Sequence, residues 1–238
     1  MIIDIVGGGS LGLLYGSRMV LSGQSIRLWC RSMKQVELLR SQGLYISEEG
    51  AVTVKLEPHQ FEANIIENFS EIWCQRPGDW LLLMTKQKDV LNVCRNYIEG
   101  IRSYLHLYHP PGVICFQNGT GHVESIQDIL QGWDVYTAIT TEGAKRISGY
   151  EIFHAGRGDT WIGISGKSNL FITELKRLEI RADSLINGLQ QAGFKALLSN
   201  DIDEIMYRKL LMNAVINPLT SLWRVTNGQL LDSSQRMG

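Results

Sequence analysis

Short apolar runs alternate with helical patterns from the start of the chain. Residues 1–6 are apolar except for Asp4 and predict a buried strand, and residues 13–22 then carry apolar positions at helical spacing. Residues 25–29 form a second apolar run. A strand, a helix and a second strand within about 30 residues predict a βαβ unit.

The same alternation continues along the chain. Uninterrupted apolar runs, which are typical of parallel strands covered on both faces, recur at residues 80–85 and 112–116. Helical patterns occupy residues 35–42, 90–101 and 171–192. Further β segments are predicted over residues 135–141, 150–154, 160–164 and 195–198, the first three at the sheet edge. The pattern predicts an α/β fold with a doubly wound, mostly parallel sheet of the Rossmann type.

From residue 201 to about residue 231 the pattern is helical again and unusually apolar. We expect a helix of this composition to be buried. A domain boundary is predicted near residue 200, which gives one domain over residues 1–200 and a second segment over residues 201–238.

A glycine-rich segment directly follows the first predicted strand. Gly7, Gly9 and Gly12 fit the pattern G-x-G-x-x-G, in which glycine permits a tight turn and a close approach of the backbone to a pyrophosphate. The helix that follows offers unpaired N–H groups to the phosphates. The alternative is a merely structural turn. We predict a dinucleotide site that includes Gly7, Gly8, Gly9, Ser10, Leu11 and Gly12.

The end of the second strand indicates which dinucleotide is bound. An acidic residue there would bind the ribose 2′-hydroxyl of NAD, but residues 28–32 contain none. Arg31 is placed to meet a 2′-phosphate, which favours NADP(H). The alternative is that Arg31 is a solvated surface residue.

Composition excludes several classes of function. A net charge of −1 and a pI near 6.5 argue against a nucleic-acid or anionic-membrane surface. The four cysteines are scattered and predict buried, reduced thiols, and no histidine or cysteine spacing indicates a metal site. No apolar run reaches ~18 residues, the length of a membrane span. Met1 opens directly onto a strand, so no signal peptide is expected and a cytoplasmic protein is predicted.

Several segments together resemble the ketopantoate reductase family. They are DWLLLMTK (residues 79–86), FQNGTGHVE (residues 116–124), residues 140–163 with their T-T-x-x-A-x-R and H-x-G-x-G-x-T-x-x-G pattern, and DIDEIMYRKLLMNAVINPLTSLWRVTNGQL (residues 201–230). The last is the most specific match, and the resemblance extends from residue 1 to about residue 231.

The resemblance implies NADPH-dependent reduction of 2-dehydropantoate, a small 2-keto acid, to pantoate in the biosynthesis of pantothenate and coenzyme A. It places Lys86 and Asn118 beside the cofactor, and it makes Lys209 the catalytic lysine. Asn213 and Asn217, with Asn118, would bind substrate. Without the resemblance, the alternative for Lys86 is a solvated lysine at a strand end, and the alternative for Asn118 is a turn residue before Gly119.

The pattern of the last helix agrees with these roles. Lys209, Asn213 and Asn217 recur every four residues, so they share one helix face within roughly 80° of arc. Polar groups on such an apolar helix require partners. Without the resemblance, a polar stripe at a domain or subunit interface explains the pattern almost as well.

The chain departs from the family in length. Family members continue with further helices, and these carry a serine and a glutamate that contact substrate. Residues 201–238 would then be the first long helix of an incomplete α-helical substrate domain. We expect either a truncation product or a shortened homologue that forms a homodimer to cover this helix. The alternatives for function are reduction of another bulky 2-keto acid and non-catalytic NADPH binding.

Overall fold

The computed structural model describes residues 1–166 and 170–225. It divides into two units, residues 1–202 and 203–238. The strands are β1 (Ile2–Val6), β2 (Ser25–Cys30), β3 (Leu44–Glu48), β4 (Val54–Leu56), β5 (Glu62–Ile65), β6 (Trp80–Leu83), β7 (Gly112–Cys115), β8 (Val135–Thr140), β9 (Gly143–Arg146), β10 (Glu151–Gly156), β11 (Asp159–Gly163) and β12 (Lys195–Leu198). The helices are α1 (Ser10–Leu21), α2 (Met33–Gln42), α3 (Phe69–Gln75), α4 (Gln87–Val93), α5 (His122–Ile129), α6 (Ile172–Gln191) and α7 (Ile202–Trp223).

The larger sheet has the strand order β12-β11-β8-β7-β6-β1-β2-β5. The six neighbouring strands β5, β2, β1, β6, β7 and β8 run parallel. The strand β11 pairs antiparallel with β8 and parallel with β12. The chain winds outward from β1 in one direction through β2 and in the other through β6. This arrangement confirms the predicted doubly wound, mostly parallel sheet.

Alternate residues of the central strands pack on opposite faces of the sheet. Ile3, Ile5 and Leu82 belong to a core shared with α1 and α6, whereas Leu81 and Leu83 belong to a second core shared with α3, α4 and α5. A strand buried on both faces has no polar side to present, which is why the sequence shows uninterrupted apolar runs there.

Asp4 is the polar exception in β1, and a buried cation satisfies it. Arg27 on the neighbouring strand β2 donates from Nε and Nη2 to the two carboxylate oxygens of Asp4, both at 2.7 Å. The indole Nε1 of Trp29 donates to the same carboxylate at 2.7 Å. Because both charges are fully buried and paired, neither is left uncompensated inside the sheet.

A second, smaller sheet corrects the predicted placement of the β segments that follow residue 135. Its order is β4-β3-β10-β9, so β10, predicted at the edge of the main sheet, pairs with β3 and β9 instead. The strand β8 lies inside the main sheet between β7 and β11. The prediction was wrong because the half-exposed strand β3 carries no clear apolar signal, and its pairing with β10 joins residues more than a hundred positions apart.

The described part of the second unit, residues 203–225, is formed by all but the first residue of α7 and by the two residues that follow it. The expectation that this helix is buried is wrong: Leu211 is 69% exposed and Leu222 is 74% exposed. A single helix offers no second layer against which its apolar side chains can pack. Residues 226–231 of the predicted helix lie outside the described residues. Within the described ranges, no helix is long and apolar enough to cross a membrane.

Candidate functional site

The glycine-rich segment lies where the central strands end. Val6, Trp29 and Leu83 stand level with one another at the carboxyl ends of β1, β2 and β6. The chain leaves β1 through residues 7–9 and enters α1 at Ser10, so Ser10, Leu11 and Gly12 form the first turn of that helix. Their N–H groups have no partner within the helix, and its first turn carries no acidic residue. Unpaired N–H groups without a neighbouring acidic side chain are suited to an anionic ligand.

Two of the four glycines are required by close packing against backbone atoms. A Cβ atom at Gly7, whose φ is +121°, would stand 2.8 Å from the backbone of Met84, and one at Gly12 would overlap the carbonyl oxygen of Gly7. A Cβ atom at Gly8 would stand 2.8 Å from the Gln35 side chain. Gly9 differs, since a Cβ atom there meets nothing within 4 Å. The described residues therefore leave open the space beside Gly9.

Two side chains from distant segments hold the glycine loop. Gln35 on α2 donates from Nε2 to the carbonyl oxygens of Gly8 and Gly149, both at 2.8 Å. Arg146 at the end of β9 donates from Nη1 to the same Gly8 oxygen at 3.2 Å. The loop is thus joined to the turn between β9 and β10. The smaller sheet therefore helps to position the site.

A cavity of about 880 Å³ opens beside the loop. This volume is within the usual range for sites that bind small molecules and cofactors. Five cationic side chains and one carboxylate are among the residues that line it, an excess of four positive charges. They are Arg31, Lys34, Lys86, Lys88, Arg146 and Asp89.

The structure places Arg31 and Lys86 on this cavity with Gly7, Gly8 and Gly9. Arg31 follows β2 and is 86% exposed, so its guanidinium is accessible to a ligand. Lys86 is the residue that precedes α4.

Asn118 lies in the loop after β7 and is not among the cavity-lining residues. The preceding residue, Gln117, donates from Nε2 to the carbonyl oxygens of Leu83 and Thr85 at 2.9 and 3.0 Å. The buried hydroxyl of Thr85 has no partner among the described residues, and Thr85 lines the cavity. A ligand in the cavity can supply the missing hydrogen bond.

The remaining predicted site residues lie on α7, in the second unit. Lys209, Asn213 and Asn217 are all helical, so the predicted common face is present. Lys209 and Asn213 are half-buried, and Asn217 is exposed. Partial burial lowers the pKa of the Lys209 ammonium below its ordinary value. A lower pKa makes this group a stronger proton donor.

Sequence reasoning missed Gln35, Arg146 and Asp89. Gln35 and Arg146 sit 27 and 138 residues from Gly8 in the chain, and no local pattern marks either of them as a loop contact. Arg146 is the arginine of the T-T-x-x-A-x-R segment, but the segment alone does not indicate its contact with Gly8. Among the described residues, no cluster of three histidine, cysteine or acidic side chains could hold a metal ion.

The doubly wound sheet and the glycine loop at the carboxyl ends of its strands are features of the dinucleotide-binding class of α/β proteins. A profile described as Ketopantoate reductase PanE/ApbA matches residues 3–167, and one described as Ketopantoate reductase PanE/ApbA C terminal matches residues 201–237. The chain belongs to the ketopantoate reductase family, whose members are NADP-dependent oxidoreductases.

Individual relatives agree with this assignment. The 2-dehydropantoate 2-reductase of Bacillus subtilis (strain 168) is 27% identical over 232 residues, a match that covers 97% of this chain and 67% of the relative. The protein of the same description from Archaeoglobus fulgidus is 27% identical over 234 residues, covering 96% and 66%. The chain thus spans about two thirds of the length of these relatives.

Solved structures share the fold. A D-mandelate dehydrogenase with NADH and anilino(oxo)acetate superposes with a TM-score of 0.79 at 22% identity, covering 99% of this chain and 69% of the other. The 2-dehydropantoate 2-reductase from Geobacter metallireducens GS-15 gives a TM-score of 0.77 at 20% identity, covering 99% and 70%.

Proposed function

We propose that this chain carries out the NADPH-dependent reduction of 2-dehydropantoate to pantoate, in the biosynthesis of pantothenate. The observation that carries the proposal is a glycine loop beside a cation-lined cavity in a chain of the ketopantoate reductase family. The chain covers about two thirds of its relatives, so the activity of the whole protein is part of the proposal.

The charge of the cavity supports NADPH as cofactor. The excess of four positive charges stands in a chain whose net charge is −1. The two phosphates of a dinucleotide carry about two negative charges, and a 2′-phosphate adds about 1.5 to 2 more near pH 7. Such a lining therefore matches a ligand with three phosphates better than one with two.

The residues of α7 supply the rest of the chemistry in this proposal. Bound NADPH supplies a hydride, and negative charge develops on the oxygen of the ketone as it is reduced. Lys209 donates a proton to that oxygen, and its lowered pKa favours the transfer. Asn213 and Asn217 hold the hydroxyl and carboxylate ends of the substrate by hydrogen bonds, and Asn118 assists in binding.

A cytoplasmic location and a homodimer are also part of this proposal. All four cysteines are free thiols, and burial raises the pKa of Cys30 to about 12, as suits a reduced core thiol. The exposed apolar side chains of α7 support self-association. A monomer at high micromolar concentration in light scattering would contradict the dimer.

The enzyme test is direct. Purified protein is mixed with NADPH and 2-dehydropantoate, and the absorbance of the reduced nicotinamide is followed. Oxidation that needs both the substrate and the intact glycine loop supports the proposal, with the Gly9→Val variant as control. Turnover only with another bulky 2-keto acid would change the assigned substrate. Tight NADPH binding without any turnover would favour a non-catalytic binding protein.

A further inference from the structure

An acidic residue does stand beside Arg31, although the sequence shows none at the end of β2. Asp89 comes from the first turn of α4, and its Oδ2 atom lies 3.7 Å from Nη1 of Arg31. The Asp89 side chain is 35% exposed and lines the same cavity as Arg31. Asp89 follows Arg31 by 58 residues in the sequence. Folding brings it beside Arg31, the residue predicted to distinguish the two cofactors.

Asp89 is the one carboxylate among the described residues that line the cavity. The other charged side chains there are cations, and no other acid balances them within the lining. Arg31 is the cation that Asp89 contacts, whereas Lys34 and Lys88 line the cavity without an ion pair in the described structure. A change at Asp89 therefore alters the charge next to Arg31.

The carboxylate has opposite effects on the two cofactors. It can accept a hydrogen bond from a ribose 2′-hydroxyl, the interaction by which acidic residues favour NAD in this type of fold. It repels a 2′-phosphate and competes with that phosphate for the Arg31 guanidinium.

We propose that Asp89 is a specificity-determining residue that competes with the 2′-phosphate for Arg31 and so lowers the preference for NADPH over NADH. This inference rests on the proposed function, since it concerns the cofactor site of that reaction. The acid comes from α4 and not from the end of β2, where residues 28–32 contain none.

A second role for Asp89 must be separated from this one. An acidic residue in the first turn of a helix stabilises the helix by interacting with its dipole. If that were the whole role of Asp89, its removal would lower the melting temperature and leave the ratio of the two affinities unchanged.

The test measures dissociation constants of NADPH and NADH for the full chain by titration calorimetry. In the Asp89→Asn variant we expect the ratio of NADH to NADPH dissociation constants to rise about threefold to tenfold, the scale of a partly exposed charge pair acting on a doubly charged phosphate. Asp128→Asn, at an exposed position of α5 outside the cavity, is the matched control for net charge and should leave the ratio unchanged.

The same substitution in an Arg31→Ala background tests the competition itself. There the effect of Asp89→Asn on the ratio should shrink to less than half of its value in the parent protein. An unchanged ratio of dissociation constants in Asp89→Asn, with both cofactors still bound, would overturn this inference and leave the proposed function standing. An equal effect in both backgrounds would overturn competition for Arg31. Absence of any dinucleotide binding by the parent chain would overturn the proposed function and this inference together.

Discussion

The side-chain amide of Gln35 donates a hydrogen bond of 2.8 Å to the carbonyl oxygen of Gly8. Gln35 is buried, and its Nε2 atom also donates to the carbonyl oxygen of Gly149 at 2.8 Å. One side chain on α2 therefore connects the glycine loop to the turn between β9 and β10. The shape of the loop depends on this connection as well as on its glycines.

Removing the Gln35 amide should loosen the loop. In Gln35→Ala the carbonyl oxygen of Gly149 loses its donor, and that of Gly8 keeps only Arg146. We expect the free energy of unfolding to fall by about 1–3 kcal/mol, the cost of unsatisfied buried polar groups, and NADPH to bind more weakly. Urea denaturation and calorimetry measure the two effects. Gln42→Ala, at an exposed position of the same helix, is the control, and an equal effect there would contradict the assignment.

The local sequence pattern was sufficient to predict the central strands of the main sheet, but not the smaller sheet or the side chains that hold the glycine loop. Strands such as β1 and β6 are continuous apolar runs because both of their faces are buried, and this leaves a clear signal. The strand β3, with the half-exposed pattern of Leu44–Glu48, carries no comparable signal, and its pairing with β10 spans more than a hundred residues. The glycine loop was predictable for a similar reason, since its chemistry lies within six residues. The contacts of Gln35, Asp89 and Arg146 arise only when the chain folds, so no spacing in the sequence marks them.

Gly9→Val should separate binding from folding. Among the described residues, no atom lies within 4 Å of a Cβ atom at Gly9, so a valine side chain can be accommodated while it fills the predicted place of the pyrophosphate. We expect an unchanged fold by circular dichroism and a loss of NADPH affinity of about 100-fold or more, since the phosphate contacts with the loop are blocked. Gly12→Val is the contrasting variant, because its Cβ would overlap the Gly7 oxygen and prevent correct folding. Unchanged affinity in a folded Gly9→Val protein would show that the turn is only structural.

Arg31 should set the difference between the two cofactors in thermal stabilisation. A ligand that binds only the native state raises the melting temperature according to its affinity. NADPH should therefore raise it more than NADH at equal concentration, and Arg31→Ala should remove most of that difference. Arg95→Ala, on the helical segment that follows α4 and outside the cavity lining, controls for the loss of a positive charge. Equal stabilisation by both cofactors in the parent protein would contradict the assignment of NADPH.

His122 should make the stability of the fold depend on pH. Burial lowers the pKa of this imidazole below its ordinary value, so the folded state holds it neutral. The unfolded state takes up the proton near pH 6.5, and stability is therefore lost as the pH falls below about 6.5 toward the folded pKa. In His122→Leu the loss of the urea midpoint between pH 7.5 and 5.5 should be smaller than in the parent. The exposed His59→Leu change is the control, and an equal pH dependence in His122→Leu would refute the prediction.

Substitution of Lys209 distinguishes a catalytic role of this residue from a role in packing. If Lys209 donates the proton to the ketone oxygen, Lys209→Ala should lower turnover by about 100-fold or more, the scale of a lost general acid, while the NADPH dissociation constant changes little. Arg208→Ala, which removes the neighbouring cation paired with Glu204 on the same helix, should keep the parent turnover.

The pH profile provides an independent check on this role. The donor must be protonated, so kcat should fall as the pH rises through the pKa of Lys209, and partial burial places that pKa below the ordinary value of 10.5. Lys209→Ala should abolish this fall in whatever activity remains. A structural lysine would give the opposite pattern, with a lower melting temperature but activity per folded molecule retained. Turnover near the parent rate in Lys209→Ala would show that the polar face of α7 belongs to an interface.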